Sequence, residues 1–438
     1  MAVQEGIGNA TEFELKSLVL TSATGGQVDL REIMQELNIF EDLYANVMTG
    51  NLLIQDTQNL INRLPIVGAE YLSVTFIKPS TTWQLKKTFR VHRITNRSKV
   101  TAASETYMLH FCSEELILSQ SIKVSNSYKD MTVANIIRDI AYNYLQISSE
   151  KLPQSELTPT TGDFSVVVPF WSPFYAINWL ARMASTARST SCSFMFFEDS
   201  LGFHFNSIEN LSQQAPLQAI NFMPMNFAGA TREKSKDKTD MQQRLEAAES
   251  YELVSAPDTI DLFNTGVYSS KLMTVNVLDQ AIRSHEQDGL GFFNDTRHAN
   301  DFSYLQDAKD RTHKYPTRHH EAYYRVAVDQ LKVETWLLQR NAYIAGMHGY
   351  RVKVAMPGNM LLRVGQVVTL NLPVASVGFK EGKPMDELLS GNYLITSIRH
   401  KLDRVKYVCI LELSKDSITD TLPAPLENSG NMSKLRNS

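Results

Sequence analysis

A chain of 438 residues is long enough to bury one large core or two to four smaller ones. Its 43% hydrophobic and 21% charged residues are ordinary for a soluble globular protein. A net charge of −4 excludes a whole-chain basic footprint for nucleic acid. The opening Met1-Ala2-Val3-Gln4-Glu5-Gly6 has no basic region followed by an apolar run, so no secretory signal is expected there. No run approaches the ~18 consecutive apolar residues of a membrane span. Cys112, Cys192 and Cys409 lie far apart and are odd in number, so they are expected to be reduced, mostly buried thiols suited to a reducing cytoplasm.

The first stretch reads as β. Leu15, Leu18 and Leu20 mark a strand-like start, and Gly25-Gly26 supplies a turn. From Leu30 to Leu43 the spacing of Ile33, Met34 and Leu37 is helix-like, with a strand as the alternative. Thr49-Gly50-Asn51 precedes Leu52-Leu53-Ile54, and Pro65 and Gly68 break the chain before Tyr71 to Ile77. There Leu72, Val74 and Phe76 alternate with Ser73 and Thr75, the period of a strand with one buried face. Phe89, Val91 and Arg93 oppose Arg90, His92 and Ile94 in a further strand; Tyr107, Leu109 and Phe111 oppose Met108 and His110 in another. Short strands at this spacing predict a barrel or sandwich.

The period then changes. Val133, Ile136, Ile137, Ile140 and Tyr144 draw a helical face with Thr132 placed to cap it. Ser172-Pro173 opens a second helix, whose face is Phe174, Ile177, Leu180, Ala181 and Ala184. Phe194 to Phe197 and Phe203 to Phe205 flank Glu198 to Gly202 as a hairpin. Residues 232–252 read as a mix of solvated helix and connection, and 284–315 as long irregular loops. Val328, Leu331, Thr335 and Leu338 mark a helix. A second β stretch follows: Tyr350 to Met356, the turn Pro357-Gly358-Asn359, Leu361 to Val368, Gly391 to His400 and Tyr407 to Leu413. Beyond Lys415 the Pro-, Ser- and Asn-rich composition predicts a tail that does not fold alone.

Candidate chemistry is sparse. His313, His319, His320 and Glu321 cluster in sequence, but adjacent His319 and His320 diverge on a helix or a strand, so no metal site is expected. Gly346-Met347-His348-Gly349 lacks the Lys-Ser/Thr of a phosphate loop, Gly25-Gly26 and Gly289-Leu290-Gly291 are turn material, and no Gly-x-Ser-x-Gly elbow is present. The carboxylate pairs Glu114-Glu115 and Glu198-Asp199 are the residue types of glycoside hydrolysis, yet adjacency in the chain does not set two carboxylates across one substrate. Phe170, Trp171 and Phe174 offer either a stacking platform for a sugar or base, or the packing of a helix start onto the body. Trp179 and Trp336 read as core or interface. No catalytic residue, cofactor or metal ligand is assigned.

Three runs carry a family resemblance. They are Val47 to Asp56 through Asn59-Leu60 with Leu64 to Glu70; Ser113 to Leu116 through Val124 to Tyr128, with the Thr132 helix and Pro173 to Ala181; and Pro357-Gly358-Asn359 with Leu362 to Val367 and Gly391 to Ile395. In this order they resemble the central baseplate hub proteins of contractile-tailed bacteriophages and the related hub portion of type VI secretion spike proteins. Residues 206–345 match nothing in that pattern. The resemblance implies a β-rich α+β chain with two tube-type β-barrel domains carrying helical and mixed α/β insertions. It divides the chain into a first barrel domain (1–115), a helix-rich domain with a hairpin (116–205), a mixed peripheral segment (206–345), a second barrel domain (346–415) and a flexible tail (416–438).

It further implies a homotrimeric, pseudo-sixfold ring that joins a sixfold tail tube to a threefold central spike in the virion baseplate. Partners would be the spike, tube or tube-initiator proteins and baseplate wedge proteins, with DNA only in transit through a polar lumen, after synthesis in the host cytoplasm. The tail from Leu422 is expected to order on the spike or a neighbouring subunit. The alternatives from other classes are a tail-associated wall hydrolase and a receptor- or glycan-binding baseplate protein using the loops near Gly289 to Phe293.

Overall fold

The computed structural model describes residues 10–23, 25–64, 66–79, 83–101, 104–186, 192–222, 244–276, 281–304, 318–323, 336–374 and 385–420. It is β-rich, and its centre is one 14-stranded mixed sheet that contains both β stretches. From one end the path runs through Val367–Asn371, Gly391–Asp403, Met34–Asp42, Thr49–Asp56, Ser104–Cys112, Gln84–Thr101, Tyr71–Ile77 and Glu14–Thr21. Tyr407–Lys415, Tyr350–Pro357 and Ser250–Ser255 branch from Gly391–Asp403.

Two strands make the join. Gly391–Asp403 runs antiparallel to Met34–Asp42, in register from Ser397 opposite Asp42 to Asp403 opposite Glu36. Its earlier residues pair instead with Val367–Asn371. The exchange of neighbours falls at a register shift between Ile395 and Ser397, a bulge that bends the strand from one module into the other. Thr396 sits at that bend, buried, and its Oγ1 donates to Glu412 O at 3.1 Å. Apolar side chains from both β stretches, such as Leu52, Phe76 and Phe111 with Val354, Ile398 and Leu411, belong to one cluster.

A second core lies in the helical part, where Ile136, Ile137 and Ile140 meet Ile177, Leu180, Phe194 and Phe205. Thr132 caps the Val133–Asn143 helix by accepting from Asn135 N. Pro173 opens the Pro173–Met183 helix as expected, but Ser172 makes no side-chain cap bond. Ser119 of the Glu114–Ser121 helix accepts from Phe174 N at 3.1 Å instead, so the cap comes from a neighbour.

Four local readings change. Residues 34–42 are a strand, because Leu37 and Ile39 alternate into the core and both edges are paired. In Gln84–Thr101 the alternation breaks at a bulge between Val91 and Arg93, so His92 and Arg93 are both exposed. The 284–315 stretch is not all loop. It contributes to the Ala281–Asp288 strand and holds the Gly289–Asp295 helix, whose Asp288 cap accepts from Gly291 N. Its charged strand pairs in a small three-stranded sheet and so shows no apolar alternation. The end of the 232–252 stretch enters the strands Ala247–Ala248 and Ser250–Ser255, while 232–243 lie outside the described residues. Val328, Leu331 and Thr335 also lie outside them; Leu338 is in the Leu337–Met347 helix.

Candidate functional site: a buried polar junction

The hairpin singled out in the sequence forms, with Phe194–Glu198 paired to Phe203–Ser207. Its turn is closed by Asp199 N donating to Gly202 O at 2.9 Å, and by Asp199 Oδ1 accepting from Leu201 N and Gly202 N. Gly202 is required by contact, since a Cβ there would meet Lys151 O at 2.2 Å. The turn is therefore wedged into the body, and both of its acids are buried.

Each acid reaches a different part of the fold. Glu198 Oε1 pairs with Lys87 Nζ of the first β module at 2.8 Å. Its Oε2 accepts from Met48 N at 2.9 Å and from Ser113 Oγ. Lys87 Nζ also donates to Asp199 O at 2.7 Å. Asp199 Oδ2 accepts from Arg363 Nη1 of the second β module at 2.9 Å. Asp199 Oδ1 lies 3.0 Å from His204 Nε2, and His204 Nδ1 lies 2.7 Å from Glu156 Oε2. Beside them a cleft of about 420 Å³ is lined by Glu150, Lys151, Glu156, Asp199, His204 and Arg363. Glu198, at the end of its strand, and Asp199, at the start of the turn, thus tie both β modules to the helical part.

The electrostatics follow from this arrangement. Burial would push the Asp199 carboxyl up, but His204, Arg363 and the Gly202 N–H hold it down at about 2. Burial lifts Glu198 above the usual carboxylate range against the pull of Lys87. Burial also disfavours the charged His204, yet Asp199 and Glu156 outweigh it and raise the imidazole. The other acidic pair is likewise divided. Glu114 accepts from Tyr71 OH at 2.9 Å, and buried Glu115 pairs with Lys151 at 2.8 Å. The four carboxylates raised as hydrolase candidates serve separate partners, and the arrangement is that of a structural clamp.

The remaining candidates are dispersed. His319 and His320 occupy consecutive positions opposite Lys271 and Leu272, and His313 lies outside the described residues. Among the described residues no three His, Cys, Asp or Glu side chains gather to hold a metal ion. Phe174 is buried with its ring 6.2 Å from Phe196, and half-buried Trp171 packs edge-on to Tyr175 and Trp179 at 5.1 and 5.2 Å. Phe170 is different: it is 70% exposed, has φ 57°, and is the extra residue of a bulge between Val124/Trp171 and Ser125/Pro169. Trp336 packs against the helical core, and Phe293 stacks on His298 at 3.7 Å. All three cysteines are free and buried. Burial raises the Cys112 and Cys192 thiols to about 11 and about 12. Burial would raise Cys409 too, but His400, 3.5 Å away, brings it below its ordinary value. Lys87, Arg363, Glu156 and His204 were not singled out by the sequence, and no local pattern marks them, because apart from the Asp199–His204 contact their partners lie 48 to 164 positions away.

No family model matches the chain. A probable baseplate hub protein, gp334 of Vibrio phage KVP40, is 21% identical over 426 residues, covering 93% of this chain and 94% of the relative. The 43 kDa tail protein of prophage MuSo2 from Shewanella oneidensis has a similar fold, with a TM-score of 0.55 at 10% identity over 92% of this chain and 99% of that one. A tail protein from Neisseria meningitidis MC58 gives a TM-score of 0.53 at 12% identity over 91% and 96%. The resemblance read from the motifs thus holds: the chain is similar to a phage baseplate hub protein along nearly its whole length and carries the β-rich fold of phage tail proteins.

Proposed function

We propose that this chain is a structural hub of a phage tail baseplate, acting as a homotrimeric ring between a sixfold tail tube and a threefold central spike, with a channel for DNA. The observation that carries this reading is the antiparallel join of Gly391–Asp403 to Met34–Asp42, which sets two β modules side by side in one sheet. Three copies of such a subunit present six β modules, which is how a threefold object meets a sixfold one. The relatives named as baseplate hub and tail proteins support it.

In this role the work is assembly and load transfer. The buried Glu198–Asp199 turn keeps the two modules and the helical part in fixed register while force passes between tube and spike. Tube or tube-initiator proteins and the spike are the partners, with wedge proteins at the periphery. The tail from Leu422 lies outside the described residues, and its place on the spike belongs to this proposal.

The mass in solution tests the reading. Light scattering on the purified chain, alone and with its candidate spike protein, is expected to give three times the 49.5 kDa of one chain, or a three-to-three complex. A monomer that ignores the spike and cleaves peptidoglycan overturns it in favour of a wall hydrolase.

A further inference from the structure

His204 sits where three elements converge. It lies on Phe203–Ser207, its ring packed 5.2 Å from that of Phe197. Glu156 approaches from the Gln154–Glu156 turn, with Oε2 2.7 Å from Nδ1. Asp199 approaches from the hairpin turn, with Oδ1 3.0 Å from Nε2, while Arg363 of the second β module holds its other oxygen. Glu150 and Lys151 line the same cleft, and Lys151 is engaged by Glu115.

A carboxylate oxygen only accepts, and a neutral imidazole carries one N–H. Glu156 takes one ring N–H, and the Asp199 oxygen, 3.0 Å from Nε2 but off hydrogen-bond geometry, is held to the ring as an ion pair only when the second proton makes the ring a cation. His204, Asp199 and Glu156 all line the cleft, so the proton has a route in and out.

We propose that His204 is a proton-operated latch: charged, it pins the Gln154–Glu156 turn to the Asp199–Arg363 link, and neutral, it lets that turn go. The turn is what leaves, because Asp199 keeps Arg363 and its own turn N–H groups, whereas Glu156 is 43% exposed and has water to turn to. The next residues run directly onto the strand, with Thr158 N donating to Phe205 O at 2.9 Å, so release loosens the wall of the cleft. His92 and His110 provide an internal contrast: burial and nearby Arg93 lower both, while the two carboxylates raise His204. A raised value means that the latch is fully closed below the unfolded imidazole's range and opens as pH rises through the folded one. The inference does not rest on the hub reading.

The test uses the full chain. Histidine C2-hydrogen exchange read by mass spectrometry gives a midpoint for each imidazole, and His204 is expected to titrate above His92 and His110. Backbone exchange of residues 151–158, referenced to the Val133–Asn143 helix, is expected to lose about tenfold in protection across the His204 midpoint, the worth of one hydrogen bond to a charged group. In His204→Gln that step vanishes and the segment is already loose at the lower pH. In Glu156→Gln, which alters an accessible side chain and carries the test if the first variant fails to fold, the His204 midpoint falls and the step is lost or moves down with it. A His204 midpoint at or below that of His92, or a step that survives unchanged in either variant, overturns the proposal.

Discussion

Arg363 Nη1 donates to Asp199 Oδ2 at 2.9 Å, joining a loop of the second β module to a hairpin turn 164 positions earlier in the chain. The pair lies within a ring of contacts in which every charge has a partner, and this makes its removal measurable.

Asp199→Asn is expected to cost about 2 kcal/mol of stability near neutral pH, the size of a carboxyl held at about 2 against 3.8 when free. The contribution is present above the unfolded value and is lost as pH falls through the folded one. The difference between wild type and Asp199→Asn in denaturant midpoint should therefore shrink toward zero between about pH 4 and about pH 2. A constant gap across that range contradicts the assignment.

Lys87 and Glu198 form a pair that is 16% and 4% exposed. Removing one partner leaves the other charge buried, so Lys87→Met is expected to destabilise by about 3 kcal/mol. Adding Glu198→Gln should return part of that loss, because no uncompensated charge remains. A double-mutant cycle by denaturant unfolding checks it, and simple additivity refutes it.

Gly358, in the turn that begins the second β module's signature, leaves no room for a side chain. A Cβ there would stand 2.0 Å from the Tyr407 ring, which is fully buried and bonded through its hydroxyl to His400 Nδ1 at 2.8 Å. Gly358→Ala should cost roughly 1–3 kcal/mol by forcing that ring aside. Thermal unfolding with near-ultraviolet dichroism of the tyrosines reads both effects.

Phe170 holds a left-handed backbone at φ 57° with its ring 70% exposed. An aromatic residue carries a steric cost of about 1 kcal/mol in that region, and asparagine carries much less. Phe170→Asn is therefore expected to stabilise the isolated chain by about 0.5 kcal/mol, seen as a higher denaturant midpoint. A loss of stability would show that the ring's remaining contacts outweigh the strain.

The parts of this fold that were readable in sequence are those set by neighbours. Leu72, Val74 and Phe76 announce their strand because each alternate side chain enters the core. Pro173 and the apolar face behind it announce a helix for equally local reasons. The Met34–Asp42 strand was ambiguous because its identity depends on strands on both sides, one of them from the far end of the chain. The junction was half legible. Glu198 and Asp199 stood out as an acidic pair in a turn, but their partners Lys87, Arg363 and His204 are ordinary residues until the fold brings them together. Glu114-Glu115 is divided in the same way: Glu114 begins a helix, while Glu115 is buried and paired with Lys151, a residue with nothing in its own neighbourhood to mark it.

The join between the modules also has a consequence for synthesis. Arg399 bonds to Asn38 across 361 positions, so the outer edge of Met34–Asp42 has no partner until those 361 further residues have been made. At 5–20 residues per second, that edge waits on the order of 20–70 s. During this interval an unpaired strand edge is open to the same edge on another nascent chain. Slower translation, or a message truncated before Gly391, should therefore shift the product from soluble protein into aggregates, independently of the stability of the finished fold.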